Sequence, residues 1–262
     1  MKKDLDFFIK KYLGNRPLLF SLIRSVEAVL FLKYKKYIKG KTLDFGCGDG
    51  FFAETVFGKR KIYIGLDLND SQAIEAEKNQ VYKKTVFYDG KKIPFSNNYF
   101  DSIISNCVLE HIPNLKNSLK EINRVLKPNG YFLTTVMTDN WEKNLFVRKI
   151  FGQFYVDFMR KKQDHYHLLS KNQWIKTFQS IGFKVIKIYP YLNQYQSQLL
   201  DIFHYFSLPS LFSYHFFRKW VMFKNWYKII KVDKIIKKII SKKSIKQSSA
   251  LFFCLKNKSI SK

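Results

Sequence analysis

The run Asp44-Phe45-Gly46-Cys47-Gly48-Asp49-Gly50 sets three glycines and two carboxylates directly after a short apolar stretch. Glycines in such a turn let backbone approach a ligand closely, and the usual tenant is a phosphate. Here the Gly-Lys-Ser/Thr of a phosphate-binding loop is missing, and the third small residue of the dinucleotide fingerprint falls on Phe51. Two carboxylates beside the turn disfavour phosphate and suit a ligand that is cationic or rich in hydroxyls. Asp67 stands seventeen residues after Gly50 at the end of a second apolar run. A carboxylate in that place accepts hydrogen bonds from ribose hydroxyls.

The elements that must position these groups alternate. Residues 1–40 read as two helices broken at Gly14-Asn15-Arg16-Pro17, with the second nearly filled by apolar positions and charged only at Arg24 and Glu27. Strands follow at Thr42–Phe45, Lys61–Asp67, Thr85–Tyr88, Phe100–Cys107 and Gly130–Met137, with helices at Phe51–Phe57, Asp70–Lys78 and Asn114–Leu126 between them. This spacing predicts βαβ units and a sheet covered on both faces, with the ligand beyond the C-terminal ends of the strands. The glycine loop, Asp67, the Asp89-Gly90 pair and Asn106 all fall at such ends. Ribose, positive charge and no phosphate together describe S-adenosylmethionine.

Residues Thr42 to Phe52 resemble the first motif of the class I S-adenosylmethionine-dependent methyltransferases, a hydrophobic–Asp–x–Gly–x–Gly–x–Gly run. Asp89-Gly90, with Ile93-Pro94-Phe95 and Phe100-Asp101, is similar to that family's adenine-side segment. Ser105 to Ile112 resembles its fourth-strand signature, and Leu119 to Gly130 the helix and turn that follow. The resemblance returns at Ile181 to Val185, entering a sixth strand, and implies an antiparallel seventh strand at Ser249 to Lys256. It implies a cofactor site made by Asp44, Gly46, Cys47 and Gly48, by Asp67 and Leu68, by Asp89 and Gly90, and by Asn106. Asp67 would take the ribose, Asp89 the adenine amino group, and Asn106 would line the methyl-donor pocket. The plain alternatives are turn glycines, a helix cap at Asp67 and an Asp-Gly turn at Asp89. His165 and His167 precede a helix whose family equivalents border the acceptor pocket. They are the candidate bases for an oxygen acceptor, with loop packing as the alternative. Arg124 and Glu121 read as a structural pair.

With 262 residues, 46% of them hydrophobic, the chain can bury a full core, which excludes wholesale disorder and fibrous architectures. Cys47, Cys107 and Cys254 lie far apart with no CxxC pair, which excludes a disulfide framework and a zinc ribbon and fits a reducing compartment. No His/Asp/Glu cluster has metal-ligand spacing, so no metal is expected. Neither a secretory signal nor a membrane-spanning run is read, the uncharged stretch Ile202 to Phe217 being short and interrupted by Pro209.

The net charge of +27 is unevenly placed. Residues 41–140 hold thirteen basic and twelve acidic side chains, whereas 218–262 hold fourteen basic and one acidic. Twelve aromatics lie between Tyr195 and Tyr227. Lys228 to Lys243 then sets Ile229, Val232, Ile236, Ile239 and Ile240 on one side and Lys228, Lys231, Lys234, Lys238 and Lys242 largely on the other. A basic amphipathic helix after aromatics reads as a membrane-surface element over 218–246, with a lid on the sheet or a nucleic-acid groove as alternatives.

The sequence thus predicts an α/β, Rossmann-like sheet of seven mostly parallel strands. A helical cap spans 1–40, the core 41–190 and 249–262, and an aromatic, basic helical insertion 191–248. The expected function is methyl transfer from S-adenosylmethionine to a small or lipid-linked acceptor, in the cytoplasm and at the inner face of its membrane. The rivals are an RNA methyltransferase, disfavoured by the charge-balanced middle and the missing Asn/Asp-Pro-Pro-Tyr/Phe tetrad, and an inactive cofactor-binding partner protein.

Overall fold

The computed structural model describes residues 2–69, 71–242 and 247–258; Asp70, Lys243 and the rest of 243–246, and 259–262, assigned above to a helix, the basic tail and the core, lie outside the described residues. Seven strands form one sheet: β1 Thr42–Phe45, β2 Ile64–Leu68, β3 Lys84–Tyr88, β4 Phe100–Asn106, β5 Leu126–Met137, β6 Phe183–Tyr191 and β7 Ala250–Asn257. Their order is β3-β2-β1-β4-β5-β7-β6. Strands β1 to β5 run parallel, and β7 lies antiparallel between β5 and β6. The order reverses between β1 and β4, which opens a crevice at their C-terminal ends.

Eleven helices clothe the described sheet: α1 Lys2–Leu13, α2 Leu18–Lys33, α3 Phe51–Phe57, α4 Ser71–Lys78, α5 Leu115–Val125, α6 Asn140–Lys143, α7 Arg148–Lys162, α8 Lys171–Ile181, α9 Gln194–Phe206, α10 Leu208–Phe217 and α11 Val232–Ser241. All four residues of β1 are buried, as a strand covered on both faces requires. Along β7 the side chains alternate between two cores. Phe252 and Cys254 join Phe8, Leu22, Phe31, Ala53 and Ile236, from α1, α2, α3 and α11. Leu251, Phe253 and Leu255 join Leu119, Ile122, Trp174 and Phe178, from α5 and α8. The N-terminal helices therefore share the core of the sheet: the Phe31 ring meets Phe52 and Phe252 edge-on, at 5.2 and 5.4 Å between centroids.

Arg124 and Glu121 hold the segment after β3. Arg124 pairs with Glu121 in two-pronged fashion and donates to the carbonyls of Ile93 and Phe95, while Glu121 accepts the Ile93 N–H. One expectation is corrected. The amphipathic stretch from Lys228 is broken at Lys231, whose φ of 52° is left-handed, so α11 starts only at Val232. Ile229 is 83% exposed, whereas Val232, Ile236 and Ile239 are buried against α1 and α2. Lys237 bonds Asp6 at 2.7 Å, tying α11 to α1. Of the apolar side that the sequence offered to a membrane, the part on α11 is covered by the protein itself and Ile229 is not.

Phe31→Ala should cost about 3–5 kcal/mol, the range for deleting a large buried aromatic. Urea unfolding followed by circular dichroism measures it. A loss below about 1 kcal/mol would mean that the N-terminal helices are an appendage rather than part of this core.

Candidate active site

The loop after β1 is tied to β2 before any ligand is considered. Gly46 and Cys47 donate to the Leu66 carbonyl at 2.8 and 3.1 Å, and Gly48 donates to Asp67 Oδ2 at 2.6 Å. Asp67 Oδ1 accepts the Leu68 N–H at 2.8 Å. Gly46 has φ of 74°, and a Cβ there would lie 2.5 Å from both methyl groups of Val108. Only glycine permits that turn beside the loop that follows β4. The result is a cavity of about 440 Å³ lined by Asp44, Gly46, Cys47, Gly48, Asp67 and Asn106 of the expected site. Leu68, Asp89 and Gly90 are not among its lining residues. Asp89 is exposed, and its Oδ1 accepts the Lys91 and Lys92 N–H groups, the simple turn role.

Asp44 is 5% exposed and accepts the Tyr82 hydroxyl at 2.7 Å. Burial, with a smaller push from Asp67, lifts its carboxyl to about 7 against the pull of the Tyr82 hydrogen bond. Among the described residues it has no ion pair. Asn106 Oδ1 accepts the Thr135 hydroxyl at 2.7 Å. Cys107 follows in a left-handed conformation, φ 51°, and burial raises its thiol far above the usual range, so it is no nucleophile.

The outer wall comes from residues the sequence reading did not single out. Tyr12, Arg16, Phe20 and Arg24 line the cavity at a spacing of four, and Trp220 of the insertion joins them. The Arg16 guanidinium pairs with Asp49 and stacks 3.9 Å above the Phe51 ring. Carboxylates on the strand side and guanidinium groups on the helix side form a donor set that fits a zwitterionic ligand with hydroxyls. The residues therefore fit S-adenosylmethionine. The spacing of four across the helix break was the one signal in the sequence that could have revealed this wall.

A second cavity of about 560 Å³ adjoins the first, and both are lined by Phe20, Arg24, Gln72, Cys107, His111 and Trp220. Its own walls include Met137, Trp141, Met159 and Leu200, with Glu110, His165, Asp201 and His204 as polar groups. The two candidate bases part company here. His165 lines the cavity, stacked on His111 at 4.9 Å, whereas His167 does not line it and its Nε2 lies 3.1 Å from the Pro113 carbonyl, fixing the loop. Burial, His111 and Arg160 push His165 down to about 3. A base so weak takes up a proton poorly near neutral pH. Glu110 lies within the segment that resembles the fourth-strand signature. It is fully buried, its Oε1 accepts the Met137 N–H at 3.2 Å, and its Oε2 has no hydrogen-bond partner among the described residues. Burial raises its carboxyl above the ordinary range.

Residues 43–134 match the family profile described as a methyltransferase domain. An uncharacterised protein of Methanocaldococcus jannaschii is 31% identical over 157 residues, 58% of this chain and 69% of that protein. A malonyl-[acyl-carrier protein] O-methyltransferase of Legionella pneumophila is 32% identical over 120 residues, which span 44% of this chain and 42% of that enzyme. Among solved structures, Haemonchus contortus phosphoethanolamine N-methyltransferase 2 superposes with a TM-score of 0.59 in its complex with phosphomonomethylethanolamine and S-adenosylhomocysteine and 0.58 in its complex with S-adenosyl-L-methionine. Both are 18% identical and cover 97% of this chain and 57% of that one. At that identity the likeness shows the fold alone.

The pH dependence of cofactor binding follows from Asp44. A cation is held by the ionised carboxylate, and below pH 7 that carboxylate is protonated, so binding must expel a proton. Affinity for S-adenosylmethionine should be level above about pH 8 and fall by up to about tenfold per unit below pH 7. Asp44→Asn should bind weakly with no such slope. Calorimetry at about pH 5.5 and about pH 8 measures both; equal wild-type affinities would remove Asp44 from the binding charge.

Proposed function

The chain belongs to the class I S-adenosylmethionine-dependent methyltransferases, and on that premise we propose that its acceptor is a small amphiphilic or lipid-linked molecule held in the apolar cavity beside the donor site. The observation that carries this reading is the sharing of six lining residues between the two cavities. An acceptor in the second cavity lies against the same side chains as the donor, which is the proximity that in-line transfer needs. A concave, largely apolar cavity suits a molecule with a hydrocarbon body and a polar end, and suits a folded nucleic acid poorly. That the Legionella relative is named for malonyl-[acyl-carrier protein] supports the same class.

When bound, S-adenosylmethionine supplies a methyl group already activated on a sulfonium. The protein's own residues bind and orient. Asp67 takes the ribose hydroxyls, Asp44 offsets positive charge, and the backbone at Gly46 and Gly48 lets the donor sit close to the loop. Asn106, fixed by the Thr135 hydroxyl, walls the methyl side. Tyr12, Phe20 and Trp220 exclude water. On the acceptor side, Glu110 is the group suited to hold or take a proton, because burial moves its carboxyl toward neutrality and its Oε2 lacks a partner.

Incubation with methyl-tritiated donor and fractionated extracts should label the lipid or small-molecule fraction; label confined to RNA would overturn the reading. With that acceptor in hand, Glu110→Gln should lower kcat by about 10²–10⁴-fold while donor affinity stays within about twofold. Unchanged turnover would strip Glu110 of its role. Asp67→Ala should instead weaken donor binding by about 1.5–3 kcal/mol, and unaltered affinity in calorimetry would remove Asp67 from the ribose site.

A further inference from the structure

Helix α10, Leu-Pro-Ser-Leu-Phe-Ser-Tyr-His-Phe-Phe, carries no charged residue, and none of its ten residues is buried. Only Ser210, Ser213 and Tyr214 are half-covered, the last stacked on Trp220 at 4.1 Å, so the phenylalanine side of the helix is left to water, which does not favour it. Phe212 and Phe216 are 67% and 71% exposed, and Phe223 beyond the helix is 79% exposed. The segment after α10 shares a groove of about 500 Å³ with it, lined by Phe206, Pro209, Met222, Phe223 and Ile230 and reaching Trp220, which also lines both inner cavities. Interleaved with these apolar side chains are Arg218, Lys219, Lys224, Lys228 and Lys231, all exposed, and no acidic residue stands between 202 and 232.

We propose that α10 and residues 218–231 form a docking face for an anionic lipid bilayer, with the groove that reaches Trp220 opening onto the membrane. Charge selects this occupant. A second copy of the chain would bring five cations against five, which a symmetric contact cannot relieve. An anionic headgroup layer complements them, while the aromatic side chains enter the interface below it. Among the described residues no helix is long and apolar enough to cross a membrane, so the contact is with one surface. The inference stands apart from the acceptor reading and needs no turnover to be tested.

The full chain is sedimented with phosphatidylcholine vesicles that contain or lack phosphatidylglycerol. The wild type should pellet with the anionic vesicles and far less with the neutral ones. Phe212→Ser combined with Phe216→Ser and Phe223→Ser should weaken partitioning more than about tenfold. Arg218→Gln with Lys219→Gln and Lys224→Gln should erase the preference for phosphatidylglycerol. Both variants should keep the wild-type circular dichroism and donor affinity. A wild type that stays in the supernatant with both vesicles overturns the proposal. So does a triple-serine variant that binds as the wild type, or a wild-type dimer in light scattering that the serine variant dissolves without any vesicle binding.

Discussion

A carboxylate with no exposed surface sits at the junction of three elements, and the site depends on how it is partnered. Glu27 of α2 is fully buried. Its Oε2 accepts the Arg24 guanidinium at 2.7 Å, and its Oε1 accepts the Tyr191 hydroxyl at 2.7 Å and the Cys107 thiol at 3.2 Å. Removing any one donor leaves a desolvated charge short of a partner, a cost of several kcal/mol. The group therefore pins α2 to the end of β4 and the end of β6 together. Arg24 is fixed between the donor and acceptor cavities as a consequence, and the left-handed turn at Cys107 is held where its thiol reaches inward.

Asp44 is the instructive contrast. It is nearly as buried, yet its partner is the neutral Tyr82 hydroxyl, and the balance of forces lifts its carboxyl instead of satisfying it. An internal guanidinium makes Glu27 a structural acid; its absence at Asp44 leaves a charge deficit at the wall of a cavity. Deficits of this kind mark where a ligand completes the electrostatics. The same contrast separates Asp201 from Glu110 in the second cavity. Asp201 accepts both the Tyr155 hydroxyl and the Val147 N–H, whereas one oxygen of Glu110 has no partner among the described residues.

What the sequence disclosed was local. Asp44 to Gly50 and Asp67 were legible because a strand, a turn and an acid at its end are neighbours along the chain. The sheet was legible because its strands and helices alternate in order. The outer wall was not, since Tyr12, Arg16, Phe20 and Arg24 meet the glycine loop only through long-range packing of α1 and α2. The break at Lys231 escaped the periodicity argument because a single left-handed residue puts the side chains after it out of register with Ile229 before it, which stays outside. His165 and His167 looked equivalent at two residues apart. One faces the cavity and the other Pro113, a difference set by the backbone of 166–167 pairing with the Glu110 carbonyl. Glu110 was overlooked because its meaning lies in burial, which no spacing reports.

Net charge divides the same way. If compositional bias alone supplied the lysines, they would be as unopposed around the strands as in the tail, yet 41–140 is nearly neutral. Acids there offset them, and several of those acids face the donor cavity. The N-terminal excess sends Arg16 and Arg24 inward, to Asp49 and Glu27. After α10 the cations have no acids beside them and lie beside exposed phenylalanines, an arrangement that water alone does not stabilise. A cation that pairs inside the fold shapes the site, and a cation left outside beside an apolar face is what the proposed lipid contact would complement.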